Sequence, residues 1–201
     1  MKTLAIDTSL GTSVAVLNDD QLLAELNFAD NMSHAERIGD AIKDCLAKAK
    51  LKPVGIDRVV IGLGPGPFTG LRVGIAAAKF FAIGANAELV GVCSLDAIAY
   101  DYFSSGQSGM LLVETDARRK EHFWAVYEGL NQGVPIRLKG PNVAKPELIE
   151  RTGLTLTDIT VTAAALGKIA FHQGPSVIRE IEPIYLREPD VSLSKGKKVS
   201  G

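Results

Sequence analysis

The sequence predicts an α/β protein of two lobes. Three observations carry that expectation: short β-branched or apolar runs alternate with helical patterns through the first hundred residues, a small polar spacer follows at Ser104-Ser-Gly-Gln-Ser-Gly109, and a second group of strand patterns lies beyond it. At 201 residues and 46% apolar, the chain is long enough for each lobe to bury a core. The expected division is 1–105 for the first lobe, 106–193 for a smaller second lobe, and a disordered tail at 194–201.

Leu4-Ala-Ile-Asp7, Thr12 to Leu17 and Leu22 to Leu26 are strand-like runs separated by turn residues, and read as an antiparallel meander. From Ser33 to Lys50, Ala35, Ile38, Ile42, Cys45 and Ala49 recur at spacings of three and four with charged residues opposite, the pattern of an amphipathic helix. Ser33 as N-cap and Glu36 three residues on make a capping box, which accounts for the acid in His34-Ala-Glu36 without chemistry. Asp57 to Leu63 reads as a buried strand, Thr69 to Ile83 as a helix, Leu89 to Val92 as a strand and Ser94 to Phe103 as a helix. Beyond the spacer, Met110 to Thr115 and His122 to Tyr127 form a hairpin around Asp116-Ala-Arg-Arg-Lys-Glu121. A strand near Val134 to Leu138 and short helices near Pro146 to Arg151 and Ala163 to His172 complete the chain.

Charge excludes one class of function. With 22 Lys and Arg against 23 Asp and Glu, there is no global positive field to gather a polyanion, so the chain is not expected to be a strong direct tRNA binder. Cys45 and Cys93 lack metal-ligand or redox spacing and read as buried free thiols of a reducing compartment. The start Met-Lys-Thr-Leu-Ala-Ile-Asp has no apolar leader, and the longest near-apolar stretch, Val73 to Ala85, contains Lys79 and falls short of the roughly 20 residues of a membrane span. A soluble cytoplasmic protein without a membrane partner is expected.

Gly62-Leu-Gly-Pro-Gly-Pro-Phe-Thr-Gly-Leu-Arg-Val-Gly74 runs from a strand into a helix and can present amide groups and a helix N-terminus to an anion. It is no P-loop, for no Gly-Lys-Ser/Thr follows, and it fails the dinucleotide pattern at the third glycine. Asp7-Thr8-Ser9 at the end of the first strand has the make-up of a phosphate hairpin, though a turn uses the same residues. Asp7, Thr8, Ser9, Gly64, Gly66 and Thr69 are therefore the candidates for a vestigial phosphate site. The Thr69–Ile83 helix is apolar nearly all round, and Gly70, Gly74, Ala78 and Ala82 form a small-residue row on it. A helix of that kind must be covered on more than one side. Its cover is either the Ser33–Lys50 helix alone or a second polypeptide meeting both helices. No pair of histidines shares a helix, so no metal site is expected.

Together, the Asp7-Thr-Ser start, the Gly64–Gly74 segment, the Asp116–Glu121 turn and Pro183-Ile-Tyr-Leu-Arg187 closely resemble the TsaB family along essentially the whole chain. The resemblance implies a two-lobed actin/Hsp70/sugar-kinase-like (ribonuclease H-like) fold with a reduced second lobe. It also implies a non-catalytic subunit that pairs with TsaD, the paralogue holding the metal and the active site, and with the ATPase TsaE. On that reading the chain has no cofactor of its own, ATP and a metal ion belong to the partner subunits, and tRNA is met through the complex. Two departures matter: Pro67 stands where family members usually carry Ser, removing an N–H and a hydroxyl from the loop, and the His-x-x-x-His pair of TsaD is absent.

The expected function is thus a scaffold for threonylcarbamoyl transfer to adenosine 37 of ANN-decoding tRNAs, with Ile38, Ile42, Cys45, Leu71, Gly74, Ile75 and Ala78 packing against TsaD, or against a second copy in a homodimer when alone. Gly74→Leu and Ala78→Arg are then expected to weaken that association and leave the monomer folded. The alternative is an ATP-binding or ATP-hydrolysing enzyme using Asp7, Thr8 and Ser9. Arg118, Arg119 and Lys120 read either as a solvated hairpin tip or as a tRNA contact in the complex.

Overall fold

A computed structural model describes residues 1–29, 34–157, 160–173 and 178–187. The first three strands, β1 (Lys2–Asp7), β2 (Thr12–Asn18) and β3 (Gln21–Phe28), form the expected antiparallel meander. Helix α1 (His34–Lys48), β4 (Arg58–Gly62), α2 (Phe68–Ala85) and β5 (Glu88–Val92) follow, and the sheet order is β3-β2-β1-β4-β5 with β1, β4 and β5 parallel. Ser33, the N-cap half of the capping box, lies outside the described residues, as does the 194–201 tail.

Each central strand is buried along its length because helices cover both faces. Leu4, Ile6, Val14, Val16, Val59 and Ile61 point toward α1 and α2. Ala5, Ala15, Leu17, Val60 and Val90 point the other way, toward α3 (Ser94–Ser104) and α4 (Ala163–Gln173). Leu4 and Ile6 are fully buried, each contributing about 1.5–3 kcal/mol of burial free energy. Helix α2 begins directly after Pro67 and ends at Asn86, whose left-handed backbone (φ 53°) lets its N–H cap the Ala82 and Ile83 carbonyls. By length and composition α2 could cross a membrane, but here it lies along the sheet with Gly70, Leu71, Gly74, Ile75, Ala78 and Ala82 buried.

The spacer at 104–109 leads into a second sheet, β8-β7-β6-β9, built from β6 (Leu111–Asp116), β7 (His122–Asn131), β8 (Val134–Ala144) and β9 (Thr155–Thr157). The chain beyond that sheet does not stay in the second lobe. Helix α4 returns to the first sheet and packs on β1, β2 and β4, with Gly167 so close that a Cβ there would meet Leu17 Cδ1 at 2.5 Å. The helix expected near Pro146 to Arg151 is only a single 3-10 turn, Pro146–Leu148. Ile149 leaves that turn in extended backbone (φ −88°, ψ 119°), and its side chain joins Leu112 and Val126 in a small cluster on the second sheet.

Candidate functional site

Asp7 stands at the end of β1, where the strand turns, and is 1% exposed. Its Oδ1 accepts hydrogen bonds from the Ser9 N–H (2.7 Å) and the Ser9 hydroxyl (2.6 Å), and its Oδ2 accepts one from the Ser94 hydroxyl (2.6 Å). Ser94 Oγ in turn accepts from the Gly64 N–H at 3.0 Å, and the Thr8 hydroxyl donates to the Gly70 carbonyl at 2.8 Å. The glycine-rich loop closes over the hairpin. A Cβ would meet Asp7 Oδ2 at 1.8 Å from Gly62, Ser9 Cα at 2.9 Å from Gly66, and Thr8 Oγ1 at 2.1 Å from Gly74. Thr69 lies apart from this contact, exposed on the first turn of α2. The arrangement locks β1, the loop and the start of α3 together, with the carboxylate and the hydroxyls facing protein.

The residues expected at a partner surface lie elsewhere than on the surface. Ile38, Ile42, Cys45, Leu71, Gly74, Ile75 and Ala78 are all buried within the chain, five of them in the cluster between the sheet and α1 and α2, Leu71 and Gly74 against the glycine-rich loop and Thr8, although Ile42 also lines a surface groove. The small-residue row lets α2 approach the Thr8 turn. Gly74→Leu accordingly drives a side chain into Thr8 and tests the fold, against the expectation that the monomer would be untouched. Cys45 Sγ donates to the Val14 carbonyl at 3.4 Å, and burial pushes its thiol up to about 11; Cys93 is pushed by burial to about 12. Both are inert thiols.

The outward side of α2 is a second apolar face. Val73, Ala77 and Phe81 are half-buried, and Phe80 and Ile83 are 76% and 77% exposed, spaced for one face of the helix. Beside it, Gly39, Ile42, Leu46, Leu51, Pro53 and Phe81 line a groove of about 320 Å³. Sequence reasoning missed Phe80 and Ile83 as surface residues. The signal was present in their position across the helix from the Gly70, Gly74, Ala78, Ala82 row.

At another edge, three of the sequence motifs converge. The segment 181–187 crosses the glycine-rich loop, with the Ile184 N–H donating to the Leu63 carbonyl at 2.8 Å. Tyr185 stacks on Phe68 with ring centroids 4.6 Å apart, and its hydroxyl accepts from Arg72 Nε at 3.0 Å. Arg187 pairs with Glu121 at 3.0 Å, donates to the Ala117 carbonyl and so grips the β6–β7 turn. Between the lobes, Asp96 is held by the Tyr127 hydroxyl (2.7 Å) and lies 3.7 Å from Arg137 Nε. Burial pushes its carboxyl up, against the pull of Arg137 and Tyr127. No pattern in the sequence marked this pair.

A model of the family described as TsaD, tRNA N6-adenosine threonylcarbamoyltransferase, matches residues 29–151. The tRNA threonylcarbamoyladenosine biosynthesis protein TsaB of Escherichia coli K12 is 32% identical over 93% of this chain and 95% of its own length. The chain belongs to the TsaB family. An uncharacterized protein of Mycobacterium leprae is 39% identical over 82% of this TsaB-family chain, which spans only 45% of that longer protein. A crystal structure of a Pseudomonas aeruginosa protein with similarity to peptidase YeaZ superposes with a TM-score of 0.81 at 24% identity, covering 92% of this chain and 99% of that one. That likeness, with the 3-2-1-4-5 strand order, shows that the chain shares the α/β fold of that protein. As a TsaB-family member the chain takes part in tRNA threonylcarbamoyladenosine synthesis. Among the described residues no group of three or more His, Cys, Asp or Glu side chains is placed to hold a metal ion.

Proposed function

We propose that this chain is a non-catalytic scaffold that binds TsaD through the outward face of α2 and the adjoining groove, and so supports threonylcarbamoyl transfer to adenosine 37 of ANN-decoding tRNAs in the cytoplasm. TsaE joins the same assembly, and ATP and the metal ion belong to the partner subunits. In the absence of TsaD a second copy covers the same face.

The observation that carries this reading is the exposure of Phe80 and Ile83 on a helix whose other side already fills the core. Burying such side chains in a partner gains about 1.5–3 kcal/mol each, and exposed apolar residues with Arg72 and Lys79 exposed on the same helix and Lys43 lining the groove are the make-up of an interface. An ATP-using enzyme is the weaker reading, because Asp7, Thr8 and Ser9 are spent on hydrogen bonds beneath the glycine-rich loop.

Sedimentation of the chain mixed with TsaD tests it. Phe80→Glu and Ile83→Glu should each raise the dissociation constant more than about tenfold with an unchanged circular dichroism spectrum, since neither side chain belongs to the core. Wild-type affinity in both variants places the interface on another surface and ends this version of the scaffold.

A further inference from the structure

Segment 178–187 runs as a strap from the first sheet to the second lobe, and its anchors follow one another along the chain. At its start the Gly91 N–H donates to the Ile178 carbonyl at 2.8 Å, and Arg179 pairs with Glu88 at 2.6 Å. Ile181 is buried in the cluster beneath α1 and α2, Ile184 packs against that cluster and against the one on the other side of the sheet, and Leu186 packs against the latter. Tyr185 reaches Phe68 and Arg72 at the start of α2. Arg187 reaches the second lobe, where it meets Glu121, the Ala117 carbonyl and the Phe123 ring.

Each of the two elements gripped by the end of the strap is weak by itself. Helix α2 follows Pro67, which supplies no side-chain cap, and no acidic residue stands in its first turn to meet the orphan N–H groups. The strap fastens that turn from outside: the Tyr185 ring lies 4.6 Å from the Phe68 ring, its hydroxyl accepts from Arg72 Nε at 3.0 Å, and the Arg72 guanidinium sits 5.7 Å and 5.8 Å from the two ring centroids. In the β6–β7 turn, Arg118, Arg119 and Lys120 take left-handed backbone in succession (φ 60°, 55° and 62°), a region unfavourable to any residue with a Cβ. Arg187 adds an ion pair and a carbonyl contact to the hydrogen bonds within that turn.

Only Leu186 separates the two anchors, and two residues of extended chain span at most about 7 Å, so neither Tyr185 nor Arg187 can move away without pulling on the other. We infer that the strap docks and undocks as one unit, so that the start of α2 and the β6–β7 turn, which belong to different lobes, order and loosen together. Arg72 is also exposed on the helix that bears Phe80 and Ile83. A partner that covers the Arg72–Tyr185 hydrogen bond removes water from it and strengthens it, and the docked strap then passes that gain to the β6–β7 turn. This last step rests on the proposed binding of TsaD by α2; the coupling inside the chain does not.

The test is amide hydrogen exchange on the full chain, followed by NMR, which reads the opening of each segment separately. Tyr185→Ala removes the contacts with α2 and should speed exchange of the Ala117 and Glu121 amides several-fold, although Tyr185 touches neither. Arg187→Ala removes the contacts with the second lobe and should speed exchange of the Leu71 amide, which donates to the Pro67 carbonyl in the first turn of α2. Tyr185→Phe keeps the ring and loses the hydrogen bond, and should give a smaller rise in the same turn amides. The double variant Tyr185→Ala, Arg187→Ala should exchange within about twofold of the faster single variant, whereas independent anchors would multiply their effects. Changes confined to the substituted end, multiplied effects in the double variant, or an equal rise in the amides of β2 each overturns the unit. Adding TsaD should slow the Ala117 and Glu121 amides of the wild-type chain and leave those of Tyr185→Ala as they were. Unchanged turn amides in a chain that has bound TsaD overturn the link to the partner, while a chain that ignores TsaD removes the scaffold and leaves the strap to stand or fall on the single and double variants.

Discussion

At Asp7 a carboxylate that could serve phosphate chemistry is committed to the fold, and the consequence can be measured at Ser94. The Ser94 hydroxyl bridges Asp7 Oδ2 and the Gly64 N–H, so Ser94→Ala strips a hydrogen bond from each of two buried groups. Losing a hydrogen bond at such buried groups costs about 1–3 kcal/mol, and urea unfolding should reveal a loss of that size. A change below about 0.5 kcal/mol would mean that neighbouring groups take over and that the lock is not tight. Glycine explains why the lock closes at all, since the smallest side chain at 62, 66 or 74 would collide with Asp7, Ser9 or Thr8. The sequence marked Asp7, Thr8, Ser9 and these glycines as notable, though not Ser94. What it could not reveal was that Asp-Thr-Ser and the glycines face one another, because both phosphate binding and a sealed turn call for the same residue types.

Among the elements, β6 and β7 pair Glu114 and His122 near Arg151, and a pH dependence follows. Burial pushes the Glu114 carboxyl up, but hydrogen bonds and charge from Arg151 (2.8 Å) and His122 (2.7 Å) outweigh it and hold its pKa below the ordinary 4.5. A depressed folded-state pKa means that the unfolded chain takes up the proton first, so the stabilisation is present above 4.5 and is lost as pH falls through the folded value. Glu114→Gln should therefore flatten the decline of stability on the acid side of pH 4.5, measured by urea unfolding across pH 3–7; an equally steep decline in the variant would assign it to other carboxylates. Helical periodicity made α1 legible because one side of it is charged. It failed for α2, where Phe80 and Ile83 outside balance Leu71 and Ile75 inside, so the α2 positions expected at a partner, Leu71, Gly74, Ile75 and Ala78, are buried within the chain. The Pro146–Arg151 stretch misled for another reason: Ile149 gains more by reaching Leu112 and Val126 than by continuing a helical turn.

On the scale of the whole molecule, one apolar face is offered to two proposed occupants, a second copy and TsaD, and they cannot share it. The chain alone should sediment as a concentration-dependent dimer, and adding TsaD should convert it to a heterodimer with loss of the homodimer. A species containing two copies joined by this face together with TsaD on the same face would sink the shared-site idea. The two-lobed organisation was legible from the spacer at 104–109, which does separate the two sheets. The return of α4 was not, because its residues Leu166, Ile169 and Ala170 would suit any apolar surface and nothing in their spacing names β1 and β2 as the target.

That return has a consequence for how the protein is made. The strands bearing Ala5, Ala15, Leu17 and Val60 leave the ribosome long before the helix that shields them, with the whole second sheet still to be translated between Ser104 and Ala163. At roughly 5–20 residues per second, the nascent chain carries a bare hydrophobic wall for several seconds, an interval in which chaperone capture competes with aggregation.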